Sequence, residues 1–475
     1  MVHPRYSVAS GYHPYDGHVP EARGNGRIQQ YDHCDNNSDT DTGRTVVRFH
    51  SKVQGGPARL IMKRFYYILV TLLATAVLSW VLPWLLSLCF PQNIADPFVS
   101  WSPVNDRFIV SMPSENGHED PEIFDYDPAT ATSSEHYTRD QRDSLLPEMY
   151  VNQLASKGLM PDSLKGIEMS MQNIRRNRWV FASFPRDINR SVPTIYPLME
   201  SMPARFELED PKVALTMHDG VEIIDMETNS TDDVRTRRFA KMFADKGFRF
   251  PAKEAMANIT TRKAYDNGYL IIDAGNNLYH LKMQVGRPSM ARIELPAGAK
   301  PVHVFVTENA DRMLYGLVSC EDGSLYGLER DTYRMIKLPG VDFDPEHQRL
   351  TIIKSLFSWT IKNCGDKEIV WTALDAQNGN KLLGEYRYTY PTGARDKIEK
   401  WIFPFTTSFT SDTDLYVYPR VGNFSWHAIF LNALLAAIVA FRLRKHKTGC
   451  LVANVVLTLL FGIFIFVPSL VIRHQ

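Results

Sequence analysis

The residues able to do chemistry are scattered along this chain rather than gathered into a motif. Met169 and Met171 form an M-x-M pair with Met160, Met199 and Met202 not far off, and soft thioethers outside the cytoplasm can hold Cu(I). At that spacing on a strand both side chains share one face, where methionine serves more often as core filler. Cys320 and Cys364 each sit beside a turn signal, which in an oxidising compartment leaves a disulfide open against two free buried thiols. His280 and His303 stand singly on strand-like runs, the usual setting of a satisfied histidine. Glu207, Glu209 and Asp210, like Asp342 and Asp344, fall in charge-rich turns, where carboxylates are solvated. No G-x-S-x-G elbow, H-E-x-x-H helix, Walker A loop or dinucleotide fingerprint occurs. No catalytic residue and no cofactor is therefore expected, and the methionine pair is the sole metal candidate.

Composition narrows the classes further. The 475 residues include 53 basic and 53 acidic side chains, for a formal net charge of +0, so a whole-chain polyanion binder is excluded and no nucleic-acid partner is expected. Five Cys without C-x-x-C spacing give neither a disulfide scaffold nor a zinc ribbon. Mean hydropathy is -0.24, yet apolar residues concentrate in three blocks.

From Asp96 to Tyr418, strand-like runs alternate with turn signals. The segments Lys212 to Glu227, Gly268 to Met283, Met313 to Glu329 and Glu368 to Tyr388 each set Asp, Asn and Gly between two β-branched or aromatic runs, as tight hairpins require. Their turns fall at Asp219, Asn276, Asp322 and Asn378, and Arg107 to Asp127 reads as an earlier hairpin. A recurrence of roughly 40–50 residues suits a four-stranded propeller blade with insertions, although no WD or kelch signature is present and a plain antiparallel domain has hairpins too. Two helical inserts are predicted. Arg139 to Gly158 repeats Leu145, Leu146, Tyr150 and Leu154 at helical spacing, with Gly158 as the stop; Asp232 to Gly247 does the same with Phe239 and Phe243 behind an acidic start.

Three apolar blocks flank this region, free of charged residues over Phe65 to Ala95, 424–441 and 449–472. Residues 62–91 read as a transmembrane anchor, and 424–441 and 449–472 as a transmembrane hairpin joined by the basic loop 442–448. Ala433, Ala436, Ala437 and Ala440 lie three or four apart, a spacing that lets another helix approach closely. Lys63 and Arg64 before the first block, and Arg442, Arg444, Lys445 and Lys447 in the loop, set the N-terminus and the loop in the cytoplasm and residues 96–418 outside. Residues 1–61 read as a disordered tail or a mis-assigned start, because Met62-Lys63-Arg64 opens like a signal-anchor. The first block is too long for a cleaved signal, and Leu88 spoils the lipoprotein-like box at Cys89. The fold class expected is a membrane protein, mainly β, with a propeller-like periplasmic domain carrying helical inserts, one N-terminal anchor and a C-terminal two-helix hairpin.

Four phrases, YTRDQRDSLLPEMYVNQLASKGLMPDSLKG (137–166), YPLMESMP (196–203), DKGFRFPAK (245–253) and DNGYLIIDAGNNLYHLK (266–282), together resemble a bacterial family of membrane proteins of unknown function, often encoded beside ABC-transporter subunits. The likeness runs from Met62 to the C-terminus and carries no catalytic motif. It implies a non-catalytic, multi-pass inner-membrane component of an ABC-type transport or envelope-export assembly, with a permease and an ATPase as partners. The residues alone leave open a periplasmic ligand-binding or sensor module and a membrane-anchored hydrolase. A sensor needs a cytoplasmic output domain and a hydrolase needs positioned acid, base or nucleophile groups; neither is legible.

Overall fold

The computed structural model describes residues 57–91, 95–114, 120–192, 194–201, 208–445 and 448–471. The chain divides into two compact units, one of residues 1–90, 398–406 and 423–475, the other of residues 91–397 and 407–422. Helix α1 (Pro57–Cys89) belongs to the first.

The second unit is mainly antiparallel sheet, built as meanders that follow one another along the chain. Strands β1 (Phe98–Ser102), β2 (Arg107–Met112) and β3 (Glu122–Tyr126) make the first. An insert follows, of α2 (Arg139–Leu145), α3 (Val151–Ser156), the small hairpin β4 (Ser163–Leu164) and β5 (Ile167–Glu168), and α4 (Met171–Asn177); then come β6 (Trp179–Ser183) and α5 (Pro185–Ile188). Of β7 (Ile195–Leu198), β8 (Glu200–Ser201), β9 (Val213–Met217), β10 (Val221–Asp225) and β11 (Ser230–Thr231), all but β8 share a sheet, and α6 (Asp233–Asp245) leads out of it. β12 (Ala252–Met256), β13 (Tyr269–Asp273), β14 (Leu278–Gln284) and β15 (Arg287–Ile293) form the next, with β8 parallel to β14. β16 (Pro301–Val306), β17 (Leu314–Cys320), β18 (Ser324–Glu329) and β19 (Met335–Asp342) form another. β20 (Arg349–Lys354), β21 (Ser358–Cys364), β22 (Glu368–Asp375) and β23 (Lys381–Thr389) form the last, which β6 joins at the edge of β20. Helix α7 (Ala394–Ile402) and the pair β24 (Thr406–Ser408) and β25 (Arg420–Gly422) precede the last helices, α8 (Ala428–Leu443), α9 (Thr448–Phe461) and α10 (Ile463–Val471).

Local turn chemistry fixes the registers. Asn276 takes the left-handed conformation between β13 and β14, Gly323 between β17 and β18, and Gly379 and Asn380 between β22 and β23. Each of the five expected hairpins is present as an antiparallel pair. Successive sheets then stack through shared apolar clusters. Leu215 and Ile223 meet Ile271 and Tyr279 beneath Phe239 and Phe243 of α6; Leu270 and Ile272 meet Val304 and Val318; Leu317 and Leu325 meet Ile352 and Trp359; Ile369 and Trp371 meet Val99 and Phe108. Strands β13 and β17 are thus covered on both faces, which is why YLIID and LYGLVSC lack polar alternation.

The helical inserts are only partly as expected. Asp232 caps α6 by accepting from the Arg235 amide at 2.8 Å, and Gly158 and Gly247 follow the inserts with positive φ. Residues 139–158, read as one helix, are two: Thr138 and Gln141 form a capping box on α2, which ends before Pro147, and α3 restarts at Val151.

In the helical unit α1 begins at Pro57, upstream of the expected start at residue 62, so residues 57–61 are helical and residues 1–56 lie outside the described residues. Among the described residues α1 is the one helix long and apolar enough to cross a membrane by length and composition. The block at 424–441 is helical only from Ala428 and runs on to Leu443, a 16-residue helix about 24 Å long. The block at 449–472 is not one helix, because the chain turns at Gly462 (φ +55°) into α9 and α10. There the Asn432 amide of α8 donates to the Leu459 carbonyl at 3.0 Å, and its Oδ1 lies 2.1 Å from where a Cβ on Gly462 would stand.

The four alanines do not share one buried face within the chain. Only Ala436 of the four is buried, α8 instead burying Ala428, Asn432, Leu435, Val439 and Leu443 with it, while Ala433 and Ala437 are exposed. A small-residue face that is buried within the chain lies on α1, where Thr75, Ser79 and Ser87 are buried, α1 packing on α10. Their hydroxyls donate to their own helix at the carbonyls of Thr71, Ala76 and Trp84, which lets them face an apolar neighbour without an unmet donor. Gly462→Ala should destabilise the helical unit by about 1–2 kcal/mol or more, from backbone strain alone, with the overlap on Asn432 adding to it; thermal unfolding in detergent measures this, and an unchanged midpoint would show that the turn tolerates a side chain.

Candidate functional site

The residues singled out in the sequence are not brought together. Met169 is buried among Val151, Ile174, Leu356 and Phe357, and Met171 packs at the edge of that cluster. Ser170 between them caps α4 by accepting from the Asn173 amide, so the pair spans a helix start and not a strand face. It is core packing. Cys320 and Cys364 are both free and lie in different apolar clusters, so the disulfide does not form. Burial pushes the Cys320 thiol up to about 11, leaving it unreactive at neutral pH. Lys63 and Arg64 lie in the early turns of α1, Arg442 in the last turn of α8 and Arg444 at its C-cap with its guanidinium 4.3 Å from the Phe441 ring; Lys445 follows, and Lys447 lies outside the described residues. Among the described residues no group of three His, Cys, Asp or Glu is placed to hold a metal ion.

The group that the structure does single out is Glu148. Pro147 ends α2 and directs the next residue inward, so the carboxyl is buried against the Ser355–Ser358 turn between β20 and β21. Its Oε2 accepts from the Leu356 amide at 3.1 Å, whereas Oε1 has no partner. It faces a cavity of about 10 Å³, the size of one water, lined by Ser100, Trp101, Ser355, Ser358 and Thr360. Burial pushes the carboxyl up to about 7, against the pull of Ser355, the Leu356 and Phe357 amides and the Lys354 charge. Glu148 therefore exchanges a proton near neutrality. The cavity has no space for a substrate, so this proton exchange has nothing there to act on.

Beside it lies a buried ion pair. Lys354 Nζ stands 2.9 Å from Asp311 Oδ2 and donates to the Asn177 carbonyl at 3.3 Å, and the Trp179 indole donates to the same Asp311 oxygen at 2.8 Å. The helical insert, the turn before β17 and the end of β20 are joined at this point.

A second polar cluster sits where β13 and β14 meet the β16–β17 turn. Lys263 Nζ is 2.6 Å from Asp266 and 2.7 Å from Glu308, all three nearly inaccessible, and Glu308 also accepts from the Asn267 amide at 2.7 Å. The Asn267 carbonyl can only accept, so His280 Nε2 carries the proton in their 2.5 Å contact, and the Tyr333 hydroxyl donates to Nδ1 at 2.8 Å. Burial pushes His280 down to about 4, with the Asn267 contact opposing it. His280 is thus a neutral, satisfied core residue, as its isolation in the sequence suggests. His303, which burial would lower, is raised instead by Glu254 at 3.0 Å and Glu346 at 3.8 Å. The sequence signal for Glu148 was present but slight: one acid in the otherwise apolar run Leu145 to Tyr150.

Residues 98–374 match the family described as Domain of unknown function (DUF4857). No curated protein matches the chain. Among solved structures, the β-propeller domain of Cps50 (Swd1) from Myceliophteria thermophila aligns at 8% identity over 63% of this chain and 89% of that one, with a TM-score of 0.20. The WD40 domain of SCAP from fission yeast aligns at 9% over 67% and 77%, with a TM-score of 0.23. PorZ, a surface component of the type-IX secretion system of Porphyromonas gingivalis, aligns at 12% over 62% of this chain but only 32% of its own length, with a TM-score of 0.18.

The Glu148 shift fixes the sign of a pH effect. Its value in the fold lies above the ordinary 4.5, so the stability that it contributes is complete below about pH 4.5 and is lost as pH rises through about 7. Glu148→Gln, which keeps the shape and cannot ionise, should remove that decline and leave the variant more stable than the parent at pH 8 by on the order of 3 kcal/mol. Urea unfolding followed by tryptophan fluorescence at pH 5 and pH 8 tests it; parallel curves for the two proteins would mean that Glu148 does not titrate in this range. Asp311→Ala, which strands the Lys354 charge, should cost about 3–5 kcal/mol in the same assay.

Proposed function

Because the chain belongs to the family of DUF4857, a domain of unknown function, its role has to be read from its own geometry, and we propose a non-catalytic, membrane-anchored subunit that serves as an accessory component of an ABC-type transport or envelope-export assembly. The observation that carries this reading is α1, uncharged from Phe65 to Cys89 with most of that span exposed, a surface that water does not favour and that lipid or another apolar helix does. The basic residues Lys63, Arg64, Arg442, Arg444 and Lys445 favour a cytoplasmic N-terminus and loop in a bacterial inner membrane, with the β-unit on the periplasmic side. Serial antiparallel meanders, each packed on the next, favour a propeller-like arrangement of that unit. The closed state of its polar clusters speaks against catalysis. Lys263, Asp266, Glu308, Lys354 and Asp311 are committed to one another, and the cavity at Glu148 takes a single water.

One observation favours a second reading, a ligand-binding module. A cavity of about 140 Å³ between β19 and the last sheet is lined by Asp342, Gln348, Asn363, Glu368, Thr372 and Arg387, polar groups able to take a small hydrophilic molecule.

Mild-detergent purification of the tagged full-length protein should recover a permease and an ATPase. A monodisperse, partner-free protein that hydrolyses envelope substrates would overturn the first reading. Reporter fusions after Gly158 and after Lys447 should report opposite sides of the membrane, and the same side for both would sink the topology.

A further inference from the structure

The chain leaves the helical unit after Thr406, runs through residues 407–422 as part of the β-unit, and returns at Asn423. This excursion carries an unusual surface. Several of its polar groups are tied to the β-unit or to the strap itself: the Tyr416 hydroxyl accepts from the Ser191 amide at 2.8 Å, Asn189 donates to the Thr413 carbonyl at 3.0 Å, and Arg420 pairs with Asp414 at 2.6 Å while lying 3.8 Å from the Tyr418 ring centroid. Leu415, Val417 and Val421 are nonetheless 62%, 75% and 56% exposed, and Tyr416 and Tyr418 between them are about half exposed. Three large aliphatic side chains are thus left in water beside two half-exposed tyrosines. In the helical unit the chain that follows also leaves Phe424 and Trp426 exposed.

Two observations say what covers this surface. The strap is continuous at both ends with the helical unit, and Val421 precedes the first residue of α8 by seven positions, so covalent reach holds it within about 25 Å of that apolar helix. Its composition, aliphatic tips beside tyrosines and an arginine, is that of segments that lie at a bilayer surface.

We propose that residues 415–421 form a membrane-surface contact in which Leu415, Val417 and Val421 enter the boundary between lipid headgroups and acyl chains. The inference rests on the membrane-anchored reading above and adds a second, non-spanning attachment through the β-unit. With it, the β-unit is held against the bilayer as well as tethered to it.

A photo-crosslinking amino acid placed singly at Val417 or Val421 of the full-length protein, reconstituted in phosphatidylethanolamine–phosphatidylglycerol vesicles, tests the proposal. The same probe at Leu72 of α1 reports on the anchor itself, and at Ala297 and Gln377 on exposed turns elsewhere in the β-unit. Lipid adducts at 417 and 421 should exceed those at 297 and 377 by roughly tenfold, as expected for side chains sunk into the interface. Adducts at 72 without adducts at 417 and 421 would overturn this proposal and leave the anchor intact. Loss of lipid adducts at 72 as well would overturn both readings. Crosslinks from 417 to a second protein in native membranes, in place of lipid, would reassign the strap to a protein partner.

Discussion

The β-unit depends on one buried ion pair. Lys354 ends β20, Asp311 lies in the turn before β17, and Trp179 opens β6; Lys354 also bonds Asn177, 177 residues away in the chain. Two charges taken out of water cost more than their attraction returns unless the remaining donors and acceptors are met. Here they are met from three directions, by the indole, the main-chain carbonyl and each other. The same contact sets the position of β6 on the edge of the last sheet, with Trp179 opposite Lys354 in the register. Displacing β6 by one residue would move Trp179 away from Trp359, whose ring it meets edge-on, and unpair Asp311. The helical insert depends on it in turn, since Glu148 reaches the 355–358 turn only because β20 ends where it does.

What could be read from the sequence follows from how local the physics is. The hairpins at Asp219, Asn276, Asp322 and Asn378 were legible because turn geometry and strand propensity are set within a dozen residues. Helix α6 was legible for the same reason, with its cap at Asp232 and its buried pair Phe239 and Phe243 four apart. The joining of β6 to β20 was not, because nothing in WVFAS names a partner strand that follows long after it. Nor was the inward turn of Glu148, where Pro147 splits what looks like one helical period into two. The methionine pair misled because its spacing of two suits a strand, while Ser170 between them is a helix cap.

The polar interior separates into parts with different work. At the surface, pairs such as Lys300 with Glu321 are exposed on both sides and contribute little. Lys263 with Asp266 and Glu308 is enclosed, and losing one member would leave an unpaired charge inside the fold. His280 lies between them in kind: a titratable ring held neutral by burial, spending both nitrogens on Asn267 and Tyr333. Glu148 differs from all of these because among the described residues it has no ion pair while one of its oxygens is left without a partner, and such a buried carboxylate is stabilised most simply by a proton.

The helical unit follows a second logic. If its surroundings are lipid, apolar contact between helices gains nothing over contact with acyl chains, and packing must come from close approach and from polar groups with no water to turn to. Both devices are present. Thr75, Ser79 and Ser87 give α1 a low-relief face with its hydroxyls bonded internally, so α10 can approach without stranding a donor. At Gly462 the turn between α9 and α10 frees the Leu459 carbonyl, and Asn432 supplies the donor from α8. A glycine is needed at that point for two separate reasons, its positive φ and the space that the asparagine side chain occupies. The turn and the polar side chain therefore require each other: without the turn Asn432 would carry an unmet amide in an apolar setting, and without Asn432 the turn would expose a carbonyl to it.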